Sequence, residues 1–241
     1  MKHIEYAIKG LRAPFFKLLN KNKKHFICPI CNYSGPFKDK NERLHAKCPK
    51  CGELERARLQ YLVLKKILSE RDCASQSILH IAPENYFIKY FRKKFANYTS
   101  GDLFRKDVDH NFDIQDMPFN NASFDVVFAS HVLEYPSDDI KAISEFRRIL
   151  KPGGIAILPI PLVHEKTVDR KTRHELTRMM HEPGMDYFAR FEKVFSNVEL
   201  HRAEMYPKEN QLFVYRGKSG CSFPLLIADG WHSDIVPVCY V

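Results

Sequence analysis

Tyr98-Thr99-Ser100-Gly101-Asp102, then Asp113-Ile114-Gln115-Asp116-Met117-Pro118-Phe119, then Phe124-Asp125-Val126-Val127-Phe128-Ala129-Ser130 are the stretches whose reading decides the fold. The first is a short strand ending on a carboxylate. The last is an apolar run of strand length, the pattern of a strand buried on both faces. Behind it, Ser137 as N-cap with Asp138 and Asp139 opens an amphipathic helix whose stripe is Ile140, Ile143, Phe146, Ile149 and Leu150. Leu150-Lys151-Pro152-Gly153-Gly154 ends that helix and turns the chain into the strand Ile155-Ala156-Ile157-Leu158. Upstream, Ile78-Leu79-His80-Ile81-Ala82 reads as a first strand, followed by a helix over 84–95. Strands alternating with helices predict an α/β fold with a doubly wound parallel sheet.

The chain has 241 residues, 44% of them hydrophobic, enough for one good core and a small appended module. Its longest uncharged apolar stretch, Ile155 to Val163, is nine residues with two prolines, far short of the ~20 that a membrane helix needs. Without an apolar segment and cleavage site after Lys2, the expected location is the cytoplasm. The net charge of +9 is concentrated at the front: residues 1–66 hold 16 Lys+Arg against 5 Asp+Glu, or +11, leaving −2 for the rest. That basic third is either a solvated face or an attractor of anionic partners.

Four of the seven cysteines form two knuckles, Cys28-Pro29-Ile30-Cys31 and Cys48-Pro49-Lys50-Cys51-Gly52, separated by 16 residues. This is the spacing of a Cys₄ zinc ribbon, and four cysteines close the tetrahedron, which makes the expected Zn²⁺ structural. Disulfides are the competing account and require an oxidising compartment. Cys73, Cys221 and Cys239 have no partner spacing and read as ordinary thiols.

The boundaries drawn from these patterns are a basic amphipathic segment 1–24, a zinc ribbon 25–54, a main domain 55–216 and a C-terminal extension 217–241 of unknown role. In the first segment Ile4, Ile8, Leu11, Phe15, Phe16, Leu18 and Leu19 alternate with lysines; packing on the body or on a second subunit is the expected fate, and a membrane surface the alternative. A helix is predicted from Glu53 to Leu68 directly behind the ribbon.

The order of strands and turns over 77–216 resembles the class I S-adenosylmethionine-dependent methyltransferases. The resemblance implies a Rossmann-like sheet of seven strands, with Asn197–Glu204 and Gln211–Arg216 as its closing antiparallel hairpin. It also implies a cofactor cleft beyond the carboxyl ends of the strands. Asp102 stands where the family places an acid on the ribose hydroxyls, with Leu103 beside it; Asp113 and Ile114 stand where it meets adenine. Ser130 and His131 would touch the methionine end or the acceptor. The family's glycine-rich loop departs here to His80-Ile81-Ala82-Pro83-Glu84-Asn85, so that His80, Ala82, Pro83 and Glu84 become its counterpart. G-x-G-x-x-G, as NAD would require, is missing.

Methyl transfer needs a base only if the acceptor arrives protonated. His131 is the catalytic candidate, with His164 behind it, and each has a packing role as its plainer explanation. The insert Glu165–Glu182, with Arg170, Lys171, Arg173, His174, Arg178 and His181, is placed to cover the acceptor and suggests an anionic one. A small or glycan-linked anionic metabolite is the expected acceptor. RNA docked on the basic ribbon is the alternative, and a binding module that has lost the cofactor is a third reading.

Overall fold

The structure is a computed structural model describing residues 2–41, 43–162, 164–216, 231–232 and 234–241, with side chains described except at 2–9, 215–216 and 231–232. Cys221 lies outside the described residues. Two compact units result, one of residues 1–66 with 202–234, the other of 67–201 with 235–241.

The larger unit is built on a seven-stranded sheet: β1 (Ser77–Ile81), β2 (Asn97–Asp102), β3 (His110–Asn111), β4 (Phe124–Ala129), β5 (Leu150–Ile157), β6 (Asn197–Arg202) and β7 (Ile235–Tyr240). Their order across the sheet is β6-β7-β5-β4-β1-β2-β3. β1 pairs in parallel with β2 and β4, β4 with β5, and β2 with β3, while β7 runs antiparallel to β5 with Val238 opposite Ile157. The order reverses between β1 and β4, the switch point where open α/β sheets leave a crevice. At the opposite ends, Asp125 Oδ2 accepts from Ser77 N, Ser77 Oγ and Lys151 Nζ at 2.7–2.8 Å and ties β1, β4 and β5 together.

The central strands read as apolar runs because both faces are covered. On one face Leu79, Val127 and Ala156 meet Ile143, Phe146 and Ile149 of helix α2 (Asp139–Ile149) and Phe191 of the short helix α3 (Phe188–Glu192). On the other, Phe128 packs 5.3 Å from Phe91 and 5.2 Å from Phe87 of helix α1 (Asn85–Lys94). Each such fully buried side chain contributes ~1.5–3 kcal/mol relative to exposure. Two details of α2 differ from the sequence reading: Asp138 rather than Ser137 is the cap, accepting from Lys141 N at 2.9 Å, and Ile140 is exposed while Ala142 takes the buried position.

The closing strand is another difference. Residues 235–240, expected in an extension of unknown role, supply β7; Val214–Arg216, expected in the hairpin, instead pairs antiparallel with Arg43–Lys47 in the other unit, Tyr215 opposite Leu44. Antiparallel pairing between distant segments leaves no signal in the local sequence that says which segment closes the sheet.

In the smaller unit, Val214–Arg216 lies in a four-stranded sheet with Trp231–His232, Arg43–Lys47 and Lys38–Lys40. A helix over Glu55–Ile67 carries Arg58, which is fully buried and stacked 4.6 Å over Phe37. Its guanidinium donates to the carbonyls of Ala46, Glu53, Asn210 and Gln211, pinning three stretches of backbone to one helix. No described helix is long and apolar enough to cross a membrane.

Candidate active site

A cleft of about 520 Å³ opens beyond the carboxyl ends of β1, β2 and β4, within the ~300–1,000 Å³ usual for small-molecule sites. Ala82 and His131, the residues leaving β1 and β4, both line it and both hold left-handed backbone, φ 48° and 55°. Each N–H first bonds across to the neighbouring chain, Ala82 to Gly101 O and His131 to Pro159 O at 2.8 Å, before the chain veers off. Non-glycine residues in this conformation cost of order 1–3 kcal/mol and concentrate at functional sites. Alanine at 82 is the smallest side chain that still carries a Cβ, and it keeps that corner of the cleft open.

Asp102 ends β2 at the rim. Its Oδ1 accepts from Phe104 N at 2.8 Å and Arg105 N at 2.9 Å, folding 102–105 into a tight turn, while Oδ2 takes no hydrogen bond among the described residues. The turn displays Leu103 and Phe104 along the cleft, 49% and 84% exposed, an apolar rim of the kind that marks a binding groove. Gly101 has its own reason: a Cβ there would sit 2.4 Å from the Phe112 ring, which lines the floor. Asp113 holds the Gln115 side chain through both oxygens at 3.0–3.1 Å, and Gln115 Oε1 accepts from Ser137 Oγ and Asp138 N. That chain sets Asp113, Ile114 and Gln115 against the cleft.

Of the residues picked from sequence, Ala82, Asp102, Leu103, Asp113, Ile114 and His131 come together around this cleft. His80, Pro83, Glu84 and Ser130 do not line it. His80 is wholly buried on the aromatic face, Nδ1 3.1 Å from Tyr98 Oη and Nε2 3.1 Å from Glu84 Oε2. Burial pushes its pKa down, against the pull of Glu84. Successive strand residues face opposite sides, so Ile81 lines the cleft and His80 cannot. The Pro83 carbonyl accepts from Arg105, and Ser130 is buried.

The wall that sequence reasoning missed comprises Val132, Tyr135 and Pro136 after β4, beneath Arg173 and Arg178 from the insert. Arg173 Nη1 donates to Tyr135 O at 2.7 Å, and Arg178 has φ 65°. The insert is a short ribbon, Val168–Asp169 against His181–Glu182. Gly184 lets the backbone of Lys166 and Thr167 pass where a Cβ would lie 2.5–2.6 Å away. Met180 N and His181 N bond to Glu134 O, and Arg190 bridges Asp139 and Asp169, with His181 Nδ1 2.7 Å from Asp169. Glu182 binds Arg170 and His164; hydrogen bonds from these side chains hold its carboxyl below the usual range, Arg170 most strongly. His164 is thereby committed to Glu182. His131 faces the cleft with Nδ1 3.8 Å from Glu134 Oε1.

In the smaller unit the sulfurs of Cys28, Cys31, Cys48 and Cys51 lie within 4.8 Å of one another, Cys28–Cys51 at 3.7 Å and Cys31–Cys48 at 3.6 Å. Ligands ~2.3 Å from a tetrahedral Zn²⁺ stand ~3.8 Å apart, whereas a disulfide requires ~2.05 Å. The donor set therefore fits a metal. The knuckles match: Asn32 N bonds Cys28 O and Gly52 N bonds Cys48 O, both 2.9 Å, with Asn32 and Gly52 left-handed at φ 56° and 86°.

Comparison with known proteins agrees with this architecture. Residues 66–158 match the methyltransferase domain family. Segments of 82 and 69 residues, 34% and 29% of the chain, are 32% and 33% identical to a highly reducing polyketide synthase of Leptosphaeria maculans and a sterol 4-C-methyltransferase of Caenorhabditis elegans. They span only 3% and 20% of those relatives. Among solved structures, an S-adenosylmethionine-dependent methyltransferase of Mesorhizobium loti superposes with TM-score 0.50 at 11% identity, covering 76% of this chain and 98% of that one. The Burkholderia thailandensis 1,6-didemethyltoxoflavin-N1-methyltransferase, bound to its substrate and S-adenosylhomocysteine, gives 0.50 at 11% with 77% of each chain covered. Residues 66–158 thus match a methyltransferase domain family, and the sheet they help build has the fold of the solved S-adenosylmethionine-dependent methyltransferases.

Proposed function

We propose that the protein is an S-adenosylmethionine-dependent methyltransferase acting on a small or glycan-linked anionic acceptor, with a structural Zn²⁺ on Cys28, Cys31, Cys48 and Cys51. The observation that carries the reading is Asp102: a carboxylate at the tip of β2, on the rim of the cleft, with one oxygen spent on its own turn and the other left for a ligand. Oδ2 has two lone pairs and accepts both ribose hydroxyls. Leu103 and Ile114 would line the adenine, Asp113 would accept from its amine, and Ala82 would leave room for the methionine portion.

When bound, the cofactor would supply an electrophilic methyl group on a sulfonium, its carbon bonding to the acceptor atom from the side opposite sulfur while the thioether leaves with the electron pair of the S–C bond. Alignment provides most of the acceleration in such a step. Tyr135, Arg173 and Arg178 form the acceptor wall, and the two guanidiniums favour a carboxylate or phosphate. His131, beside Glu134, takes a proton from an acceptor that arrives protonated. Two arginines beside a cleft of small-molecule size favour a small acceptor over RNA. Thiols kept reduced for a metal suit the cytoplasm.

Calorimetry with S-adenosylhomocysteine on the zinc-loaded chain tests the reading. Saturable binding in the micromolar range is expected. No heat up to millimolar ligand, with zinc retained, would make the protein a binding module that has lost its cofactor.

A further inference from the structure

The N-terminal helix Lys2–Leu19 has two apolar faces. One is buried: Ala13 is 2% exposed in the cluster of Phe26, Tyr33, Phe37 and the cysteines, the Lys17 stem lies against Gly35, and Lys38 Nζ sits 4.9 Å over the Phe16 ring. The opposite face bears Leu11, Phe15, Leu18 and Leu19 at i, i+4, i+7 and i+8, exposed by 81%, 65%, 67% and 68%. Four large apolar side chains in one stripe, with nothing described covering them, form a patch that monomeric proteins rarely leave in water. The sequence around it is predominantly basic: residues 5–39 contain Lys9, Arg12, Lys17, Lys21, Lys23, Lys24 and Lys38 against Glu5 and Asp39. Lys17, Lys21, Lys23, Lys24 and Lys38 are exposed.

We infer that this helix docks the protein on an anionic lipid surface, the Leu11–Phe15–Leu18–Leu19 stripe in the headgroup–acyl boundary and the lysines on lipid phosphates. An apolar stripe flanked by lysines is what an interfacial helix requires, and each basic residue near an acidic leaflet adds to the attraction. The charge argues against the other occupants. A second copy meeting the stripe across a two-fold axis would bring the same lysines face to face. RNA would use the lysines and leave the four apolar side chains in water. The inference is independent of the methyltransferase reading, because the helix belongs to the unit that does not hold the cleft.

Flotation of the full chain with phosphatidylcholine vesicles, with and without one third phosphatidylglycerol, tests it. Co-flotation is expected only with the acidic vesicles and should be released by about 0.5 M NaCl, where screening is strong. The double change Leu11→Ser, Phe15→Ser should weaken partitioning at least ~100-fold, as expected for two side chains losing apolar burial. Lys23→Gln should weaken it about fivefold. Both sites are exposed, so the melting temperature and S-adenosylhomocysteine affinity should be unchanged. No co-flotation overturns the inference, as does equal binding to neutral vesicles. A concentration-dependent dimer that the double change abolishes, without vesicle binding, assigns the stripe to a second copy instead. RNA binding indifferent to the double change, again without vesicle binding, assigns the lysines to nucleic acid.

Discussion

Replacing Asp102 by Asn separates what its two oxygens do. Oδ1 accepts from Phe104 N and Arg105 N at 2.8 and 2.9 Å and builds the turn; Oδ2 is the oxygen offered to the ribose. An asparagine keeps its carbonyl on the two backbone donors, which have no other partner among the described residues, and swings an amide NH₂ to where Oδ2 was. That group donates where two hydroxyls need an acceptor. Hydrogen bonds to a charged group are worth ~1.5–3 kcal/mol each, so the pair accounts for about 3–6 kcal/mol, or ~10²–10⁴-fold in affinity. The hydroxyls still accept from the new amide, which places Asp102→Asn near the lower end, about 10²-fold, with an unchanged melting temperature. Asp102→Ala also removes the two turn bonds, a further ~1–3 kcal/mol of local stability, and loosens Arg105 from the Pro83 carbonyl. It should therefore bind more weakly still and melt lower. Calorimetry with S-adenosylhomocysteine beside thermal unfolding reads both effects. If Asp102→Asn binds within fivefold of the wild type, the carboxylate does not hold the ribose and the assignment of the cleft fails.

Arg58→Met takes the guanidinium from the buried carbonyls of Ala46, Asn210 and Gln211, while the Glu53 carbonyl keeps Cys48 N. At ~1–3 kcal/mol per unsatisfied group it should cost at least about 3 kcal/mol, seen as a shifted urea midpoint; a loss under ~1 kcal/mol would mean that water replaces the guanidinium. Metal analysis should find one zinc per chain, and either a chelator or Cys48→Ser should unfold the ribbon, because binding energy in such sites is folding energy; melting indifferent to chelation would disprove the zinc assignment. His80 stays neutral in the fold because burial depresses its pKa. Below its ordinary value of about 6.5 the unfolded chain takes up a proton that the folded one refuses, so its contribution is complete above pH ~6.5 and is lost as pH falls towards its lower folded value. Urea midpoints at pH 7.5 and 5.5 should differ more in the wild type than in His80→Gln, and equal differences would refute the burial argument.

What could be read directly from the chain is what local chemistry dictates. The strands at 77–81, 97–102, 124–129 and 155–157 are apolar or β-prone runs punctuated by turn residues, the pattern of an α/β sheet covered on both faces, whereas the last of them begins already at Leu150, over residues read as the helix end and a turn. The CxxC spacing already implied that four sulfurs meet, and Asp102 was singled out because the resemblance places an acid at the end of the second strand; that the same carboxylate builds its own turn only the structure shows. Folding in three dimensions decided the rest. His80 and Ile81 are neighbours in sequence, yet strand alternation sends one into an aromatic core and the other to the cleft. Arg58 looks like any surface arginine of a helix until residues 210 and 211, more than 150 positions away, close over it. The seventh strand and the uncovered stripe of the N-terminal helix share that character: each depends on which distant segment arrives to pair or cover, and a contact of that range leaves no period, spacing or turn signal in the residues that make it.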